Sequence, residues 1–225
     1  MRCSEEYYRG VRKMQCASDE TFAVDIKQLI RRSLSYLNAL NQHGSLELSE
    51  DIEKLIPIVM EKSHFKACHE FFTLSDCDSE EALIELQHEI SGERISVKSS
   101  DLCKLFKKNE INKVCVIAST LGIEADRYIK RIMSTDASKG VILDSVFSAY
   151  LEGMTDSYED SIIEGRYTFR FAPGYGDLDI SYNMLFYNLI GIEKKIGITI
   201  SSGGIFLPQK SMLGIIGVIG MEIDK

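Results

Sequence analysis

Hydrophobic residues recur every three or four positions over several long segments of the chain, a spacing that predicts amphipathic helices. The first helix is expected over residues 19–41, with Ser18 or Asp19 as its N-cap. A second is expected after Ser49, where Pro57 should shorten or kink it. The same spacing predicts four further helices, at residues 99–108, 123–133, 139–164 and 179–190.

Shorter apolar runs rich in β-branched residues lie between these helices and predict strands. The clearest are residues 113–120, which are followed by a turn and a helix, and residues 211–220. Alternating patterns predict strands at 167–171 and 197–201, and residues 80–97 predict two short strands joined by a turn at Gly92. Because helices outnumber strands and do not strictly alternate with them, we expect an α+β fold with a mixed, mostly antiparallel, twisted sheet flanked by long helices.

The length and charge of the chain limit its organisation and its partners. A chain of 225 residues can bury its core in one unit, so we expect a single domain over residues 1–225. A net charge of -8 repels phosphate backbones and anionic lipids, and the lysines at 104, 107 and 108 have the spacing of a solvated helix face. No apolar run approaches the roughly 20 residues that span a bilayer. We therefore expect neither a nucleic-acid partner nor a membrane partner.

The cysteines suggest a reducing compartment. The chain has six cysteines, no C-x-x-C pair and no apolar run of the kind that begins a secreted protein. We therefore expect reduced thiols and a cytoplasmic location. Cys68 and His69 are adjacent but cannot make a tetrahedral metal site alone, so no zinc centre is expected.

The segment RFAPGYGDL at residues 170–178 is the best candidate for a binding site. Pro173 and Gly174 suit the two central positions of a type II turn, because proline presets the first torsion and glycine accepts the positive one. Arg170, just before the turn, can hold a carboxylate with its planar fork, while backbone groups of Ala172 and Gly174 can bond an amine or a base edge. Tyr175 adds a flat face with a hydroxyl. The same residues are also compatible with a structural turn and a surface ion pair.

Three separated segments resemble the C-terminal activation domain of cobalamin-dependent methionine synthase and its free-standing homologues. They are LDSVFSAYLEGMTD at 143–156, RFAPGYGDL at 170–178 and KIGITISSGGIFLPQKSMLGIIG at 195–217. VIASTLGIEADRYIKR at 116–131 is similar to the free-standing form. The likeness covers roughly residues 95–217, so it implies a family-like core at 95–225 after a helical part at 1–94.

The resemblance implies that the chain binds S-adenosylmethionine through Arg170, Ala172, Pro173, Gly174 and Tyr175. The arginine would hold the carboxylate of the ligand. A sulfonium would be helped by a nearby carboxylate or aromatic face, for which Glu152 and Tyr175 are the candidates, although the helix register could equally leave Glu152 in solvent.

In the family, the bound methyl donor serves the reductive methylation that returns oxidised cobalamin to its working state. No D-x-H-x-x-G motif is present, so the cobalamin is expected on a partner, either a methionine synthase or another corrinoid methyltransferase subunit. Flavodoxin or ferredoxin would supply the electron. The chain is thus expected to be an accessory protein rather than a complete enzyme.

Two departures from the family pattern keep an alternative open. Ile200, Ser201, Ser202 and Gly203 stand where the family commonly has L-T-E-S, so a glutamate is missing. The segment after the last expected strand is short, so no counterpart of a ligand-binding tyrosine is expected there. The alternative is a non-catalytic scaffold of the same fold that has lost the ligand. An ordinary small-molecule methyltransferase is disfavoured, because no G-x-G occurs in the N-terminal half.

Overall fold

A computed structural model describes residues 16–18, 22–40 and 44–220 of the chain. Its helices are α1 (Ile26–Tyr36), α2 (Ser45–Lys62), α3 (Ser100–Lys108), α4 (Ile123–Thr135), α5 (Ala137–Ile162), α6 (Tyr182–Ile190) and α7 (Ile192–Ile196). Its strands are β1 (Cys16–Ser18), β2 (Lys66–Asp78), β3 (Leu83–His88), β4 (Arg94–Lys98), β5 (Lys113–Thr120), β6 (Arg166–Tyr167), β7 (Thr199–Ile200), β8 (Phe206–Leu207) and β9 (Ser211–Ile219).

One seven-stranded sheet forms the centre of the fold. Its order is β4-β3-β2-β5-β9-β6, and β1 pairs with β2 beside this path. Strands β7 and β8 form a separate two-stranded sheet. The expected α+β class is confirmed. Every strand pair in the described ranges is antiparallel, so the sheet is more uniform than the mixed one expected.

Strand β5 places the two hydrophobic cores on opposite faces of the sheet. Its side chains alternate, because successive residues of a strand point to opposite sides. Cys115 and Ile117 face a core shared with α1, α2, α4 and α5, whereas Val114 and Val116 face a second core shared with α3, α6 and α7. The sheet is therefore covered by helices on both sides, and α5 lies on the face that carries the site described below.

Strand β2 is the main element that the hydrophobic pattern did not predict. Its sequence, KACHEFFTLSDCD, places the polar residues His69 and Glu70 at buried positions, which breaks the expected alternation. Both side chains have partners: the Nδ1 atom of His69 lies 2.7 Å from the hydroxyl of Tyr158, and Glu70 contacts His88 and Lys195. Burial of these groups is tolerated because each one is paired.

The first two helices begin at positions other than those expected. Helix α1 is capped by Asp25, whose carboxylate accepts hydrogen bonds from the backbone N–H groups of Lys27 (2.8 Å) and Gln28 (3.2 Å). Of the expected caps, Ser18 lies in β1 and Asp19 lies outside the described residues. Helix α2 begins before Ser49 and continues through Pro57 to Lys62.

The sulfur chemistry also differs from the expectation. Cys77, near the end of β2, is joined to Cys103 of α3 by a disulfide, with the two Cα atoms 6.1 Å apart. Cys68 and Cys115 are both buried, and a buried cysteine packs like a small apolar residue. The expectation of reduced thiols is therefore wrong for the 77–103 pair.

Across residues 22–40 and 44–220, no helix combines the length and the apolar character that a membrane crossing requires.

Buried His69 makes stability depend on pH. Burial lowers the pKa of His69 to about 4, from the ordinary value near 6.5 that it regains on unfolding. The unfolded chain therefore takes up this proton first, so the contribution is complete above about pH 6.5 and is lost as the pH falls toward 4. Between pH 7 and pH 4, the free energy of unfolding should therefore fall by up to about 3 kcal/mol less in His69→Gln than in the wild type, as measured by urea denaturation. His64→Gln, at a side chain 60% exposed, is the control and should keep the wild-type slope.

Candidate functional site

A cleft of about 630 Å³ opens between α1, α5 and the chain that follows β6. This volume lies within the range of ordinary small-molecule sites. The lining residues come from α1, α5, β6, the segment after it and β9: Gln28, Arg32, Glu152, Asp156, Glu159, Asp160, Tyr167, Phe169, Arg170, Ala172, Met212 and Leu213.

Helix α5 supplies the negative charge of this cleft. Glu152, Asp156, Glu159 and Asp160 follow one another at intervals that bring them to one side of a helix. The start of this helix is capped, because the carboxylate of Asp136 accepts a hydrogen bond (3.0 Å) from the backbone N–H of residue 139. One helix face therefore presents a row of carboxylates to the cleft.

Arg170 lies against this row from the sheet side. Its guanidinium donates to Glu159 and, at 3.2 Å, to Asp156, while only 13% of its side chain is exposed. These two contacts use two of the five N–H donors of the arginine. Three N–H donors of the guanidinium therefore lie outside these two contacts.

Gly214 of β9 makes room for Arg170. A Cβ atom at position 214 would come within 2.5 Å of Cδ of Arg170 and still closer to Cγ. The aliphatic stem of the arginine therefore crosses the strand where a side chain is absent. The absence of a side chain at position 214, together with the two ion pairs, therefore sets the direction of the guanidinium.

Helix α1 closes the other side of the cleft. Arg32 contacts Asp156 (2.5 Å) and Glu152 (3.7 Å), and the hydroxyl of Tyr36 donates to Glu152. Burial, together with the bond to Glu152, raises the pKa of Tyr36 well above its usual range. At the far end, the hydroxyl of Tyr167 donates to Asp160 (2.6 Å), and burial followed by this bond raises the Tyr167 pKa in the same way. Both phenols therefore remain protonated donors at neutral pH.

The lining has four carboxylates and only two guanidinium groups, so negative charge is in excess. In the described part of the chain, no group of three or more histidine, cysteine or acidic side chains is arranged to hold a metal ion. The excess of carboxylates makes the electrostatic potential of the cleft negative, and the guanidinium of Arg170 is a positive position within it.

The turn predicted at residues 172–175 is present. The backbone N–H of Tyr175 donates to the carbonyl of Ala172 (3.0 Å), and Gly174 has a φ of +91°, as a type II turn requires. The N–H of Gly174, expected to be available for a ligand, instead donates to the carbonyl of Leu178 (2.7 Å). Tyr175 is 61% exposed, and its ring packs edge-on against Phe171.

Asp177 anchors this turn to the start of α3. Its carboxylate accepts hydrogen bonds from the Ser99 hydroxyl (2.5 Å) and from the backbone N–H groups of Ser100 (2.8 Å) and Asp101 (3.2 Å). These bonds, with that from Ser99 the strongest contribution, hold the pKa of Asp177 below its usual range. The loop approaches closely because Gly176 has a φ of +56° and lacks a Cβ, which would lie 2.8 Å from the Asp101 carboxylate.

The structure therefore brings together half of the expected site residues. Glu152, Arg170 and Ala172 line one cleft. Pro173, Gly174 and Tyr175 do not line it, because the chain reverses after Ala172 and is drawn toward α3. Tyr175 is thus separated from the cleft that Arg170 lines, although the resemblance implied that both residues hold the ligand.

Sequence reasoning missed Arg32 of α1 and Asp156, Glu159 and Asp160 of α5, which line the cleft, and Tyr36 of α1, which bonds Glu152. The α5 residues left a signal that could have been used, since their spacing after Glu152 marks a common helix face. The α1 residues left none, because nothing in the spacing of positions 32 and 36 relates them to position 152.

The segment that departs from the family pattern also lies outside the cleft lining. Ile200 pairs with Phe206 in the β7–β8 hairpin, and the carbonyl of Gly204 accepts a hydrogen bond (3.0 Å) from the amide of Asn183. Ser201 and Ser202 are part of the turn between the two strands. The acidic character of the cleft therefore depends on α5 and owes nothing to this hairpin.

The antiparallel sheet has helices on both faces and a cleft over one face, which is an α+β architecture. No protein-family model matches this chain, and no curated protein matches it. Among solved structures, the chain is similar to a crystal structure of the MetH reactivation domain bound to AdoHcy, with a TM-score of 0.64. The match covers 93% of this chain and 80% of that one at 13% identity. The fold is that of the MetH reactivation domain, which confirms the fold implied by the resemblance.

The contact between Arg170 and Gly214 can be tested by stability. We expect Gly214→Ala to lower the free energy of unfolding by about 2 kcal/mol, because the added methyl group displaces the stem of Arg170. Gly203→Ala is the control. Its Cβ would meet nothing closer than 3.9 Å, so a change below about 0.5 kcal/mol is expected. Equal stability of the two variants in urea denaturation would contradict the described position of Arg170.

Proposed function

We propose that this chain binds S-adenosylmethionine in the cleft between α1 and α5. The observation that carries the proposal is the pairing of one inward guanidinium, that of Arg170, with an excess of carboxylates on α5. S-adenosylmethionine has a carboxylate that suits the first feature and two cationic centres, an ammonium and a sulfonium, that suit the second.

The individual residues support distinct roles. Arg170 holds the ligand carboxylate with the donors that its ion pairs leave available. Glu152, whose side chain is 30% exposed in the cleft, stabilises a cationic centre through space. The exposed ring of Phe169 offers an apolar surface at the rim for the adenosine part of the ligand.

The similar solved domain supports the same kind of ligand. That domain was crystallised with AdoHcy, which is the product formed when S-adenosylmethionine gives up its methyl group. At 13% identity the similarity carries the fold alone, so the assignment of the ligand rests on the charges of this cleft.

In this proposal the chain is an accessory protein that supports reductive methylation of cobalamin on a partner. The partner is a methionine synthase or another corrinoid methyltransferase subunit, and flavodoxin or ferredoxin is the electron donor. Cobalamin on the partner supplies the methyl-accepting chemistry. The residues of this chain bind and orient the methyl donor, in the cytoplasm.

A second candidate is a scaffold of the same fold that binds the partner but no ligand. Two observations favour it: Arg170 already has two carboxylate partners, and the N–H of Gly174 is bonded within its own loop. Under this alternative the Arg170 ion pairs have a structural role, joining α5 to the chain beside β9.

Calorimetric titration with two ligands tests the proposal. S-adenosylmethionine carries one positive charge more than S-adenosylhomocysteine, so the acidic cleft should bind it more tightly, by roughly tenfold. Glu152→Gln should reduce this preference to roughly threefold, because one carboxylate is neutralised without a change in shape. Glu164→Gln is the control, since Glu164 is exposed and lies outside the lining, and it should keep the wild-type ratio.

Variants at Arg170 separate the two candidate functions. Arg170→Lys keeps the positive charge near Glu159 but loses the planar fork, so it should fold and bind both ligands roughly tenfold more weakly. Absence of heat with either ligand in the folded wild-type protein at millimolar concentration would exclude the ligand-binding proposal. Unchanged affinity of all these variants for a cobalamin-bearing partner would then support the scaffold.

A further inference from the structure

The cysteine pair lies at a position from which it can influence the loop at residues 172–178. Cys77 is near the end of β2 and is partly exposed, whereas Cys103, in α3, has only 1% of its surface exposed. Their Cα atoms are 6.1 Å apart, a separation that disulfides commonly have. The bond therefore fastens α3 to β2 through a helix residue that has almost no room to move.

Cys103 is the fourth residue of α3, one turn from the helix start. That start carries the whole anchor of Asp177: the hydroxyl of Ser99 and the backbone N–H groups of Ser100 and Asp101. The N–H of Cys103 also donates to the carbonyl of Ser99 (3.1 Å), so the sulfur-bearing residue and the anchoring residues belong to the same helical turn. A constraint on Cys103 is therefore a constraint on the groups that hold Asp177.

The anchor is continuous with the cleft. From Asp177 the chain leads back through the hydrogen bonds between Leu178 and Gly174 and between Tyr175 and Ala172, and Ala172 lines the cleft beside Arg170. The path from the cysteine pair to the cleft thus consists of one helical turn, one carboxylate and one short, internally bonded loop. Each step is a direct contact.

We propose that Cys77 and Cys103 form a reversible dithiol–disulfide pair that sets how firmly loop 172–178 is held against α3. In the disulfide form the start of α3 is fixed and the loop is ordered. In the dithiol form α3 is joined to β2 by packing and by weak contacts of the two sulfurs with backbone oxygens, so the Asp177 anchor opens more often. The regulation of ligand affinity that follows rests on the proposed function; the effect on the loop does not.

The redox chemistry balances with a small-molecule disulfide, such as oxidised glutathione, as the oxidant. The thiolate of Cys77, the more exposed of the two, attacks the small disulfide and releases one glutathione thiolate. The thiolate of Cys103 then displaces the second glutathione and closes the protein disulfide. Two protein thiol protons end on two glutathione molecules, the protein loses two electrons, and the glutathione disulfide gains them.

The first test measures the loop without any ligand. Full-length protein is equilibrated with oxidised or reduced glutathione, the thiols are counted by alkylation and mass spectrometry, and amide hydrogen exchange is followed in both forms. We expect exchange at residues 172–178 to be about tenfold faster in the dithiol form, with no change in the β7–β8 hairpin at 199–207. The reduced protein should also unfold about 5 to 10 °C lower.

Two variants show whether the effect passes through the stated contacts. Cys77→Ser should exchange at 172–178 like the reduced wild type under both conditions. Asp177→Asn, which weakens the anchor while keeping the cysteine pair, should show fast exchange whether the pair is oxidised or reduced. The inference is overturned if the 77–103 disulfide does not form, or if it forms and leaves exchange at 172–178 unchanged in the wild type.

The second test uses S-adenosylmethionine titrated into both forms. An affinity about threefold to tenfold higher in the disulfide form supports regulation of the site, because the ordered loop needs less reorganisation on binding. Equal affinities, with the loop still responding to reduction, overturn the regulatory part. Absence of binding in both forms overturns the proposed function, while the exchange data still decide whether the loop is under redox control.

Discussion

The site depends on one contact, in which the side chain of an arginine crosses a strand at a glycine and so meets no side chain there. Arg170 crosses β9 at Gly214 and reaches Asp156 and Glu159 on α5. Buried acidic groups on a helix would repel one another and would not tolerate loss of water without a cation nearby. The arginine supplies that cation for Asp156 and for buried Glu159, two of the four carboxylates that α5 presents to the cleft.

Asp156 extends this arrangement to the first helix. It lies between Arg170 and Arg32, so one carboxylate is shared by groups from the chain beside β9 and from α1. Shared ion pairs of this kind couple their members, and the effect of changing one depends on the others. The two walls of the cleft are for this reason parts of one charge network.

Much of the fold could be predicted from the sequence, because the apolar residues of its central elements form a continuous run or recur at one regular spacing. Strand β5 is a continuous apolar run, and α5 carries apolar residues at helical spacing, so both were predicted within a few residues of their observed bounds. Strand β2 was not predicted, because His69 and Glu70 are buried by pairing with remote partners that a local pattern does not contain. Local patterns predict the burial of apolar residues, but they miss polar residues that are buried because a residue distant in the sequence pairs with them.

The site residues also divide into those that the sequence predicted and those that it missed. Arg170 and its turn were found because proline and glycine mark the chain reversal locally, whereas Glu152 was a candidate carboxylate for the implied sulfonium, and its helix register alone could equally have left it in solvent. Arg32 was missed because it meets Asp156 across 124 residues of chain, and the turn toward α3 was missed because it depends on Asp177 meeting residues 99 to 101. The resemblance supplied the fold and a ligand class, but only the tertiary contacts separated the cleft-lining residues from the rest of the loop.

The order of strands in the sheet has a consequence for synthesis of the protein. The partner of β5 on one side is β9, whose first residue, Ser211, follows Thr120 by 91 positions. Until that segment leaves the ribosome, strand β5, whose residues are almost all buried in the folded protein, has an open edge able to pair with other chains. Helices α4 and α5 are made during this interval and can cover one face of the strand, but neither can occupy its edge. The growing chain is therefore most exposed to aggregation while its longest helix is already complete, and a chaperone would be most useful at that stage.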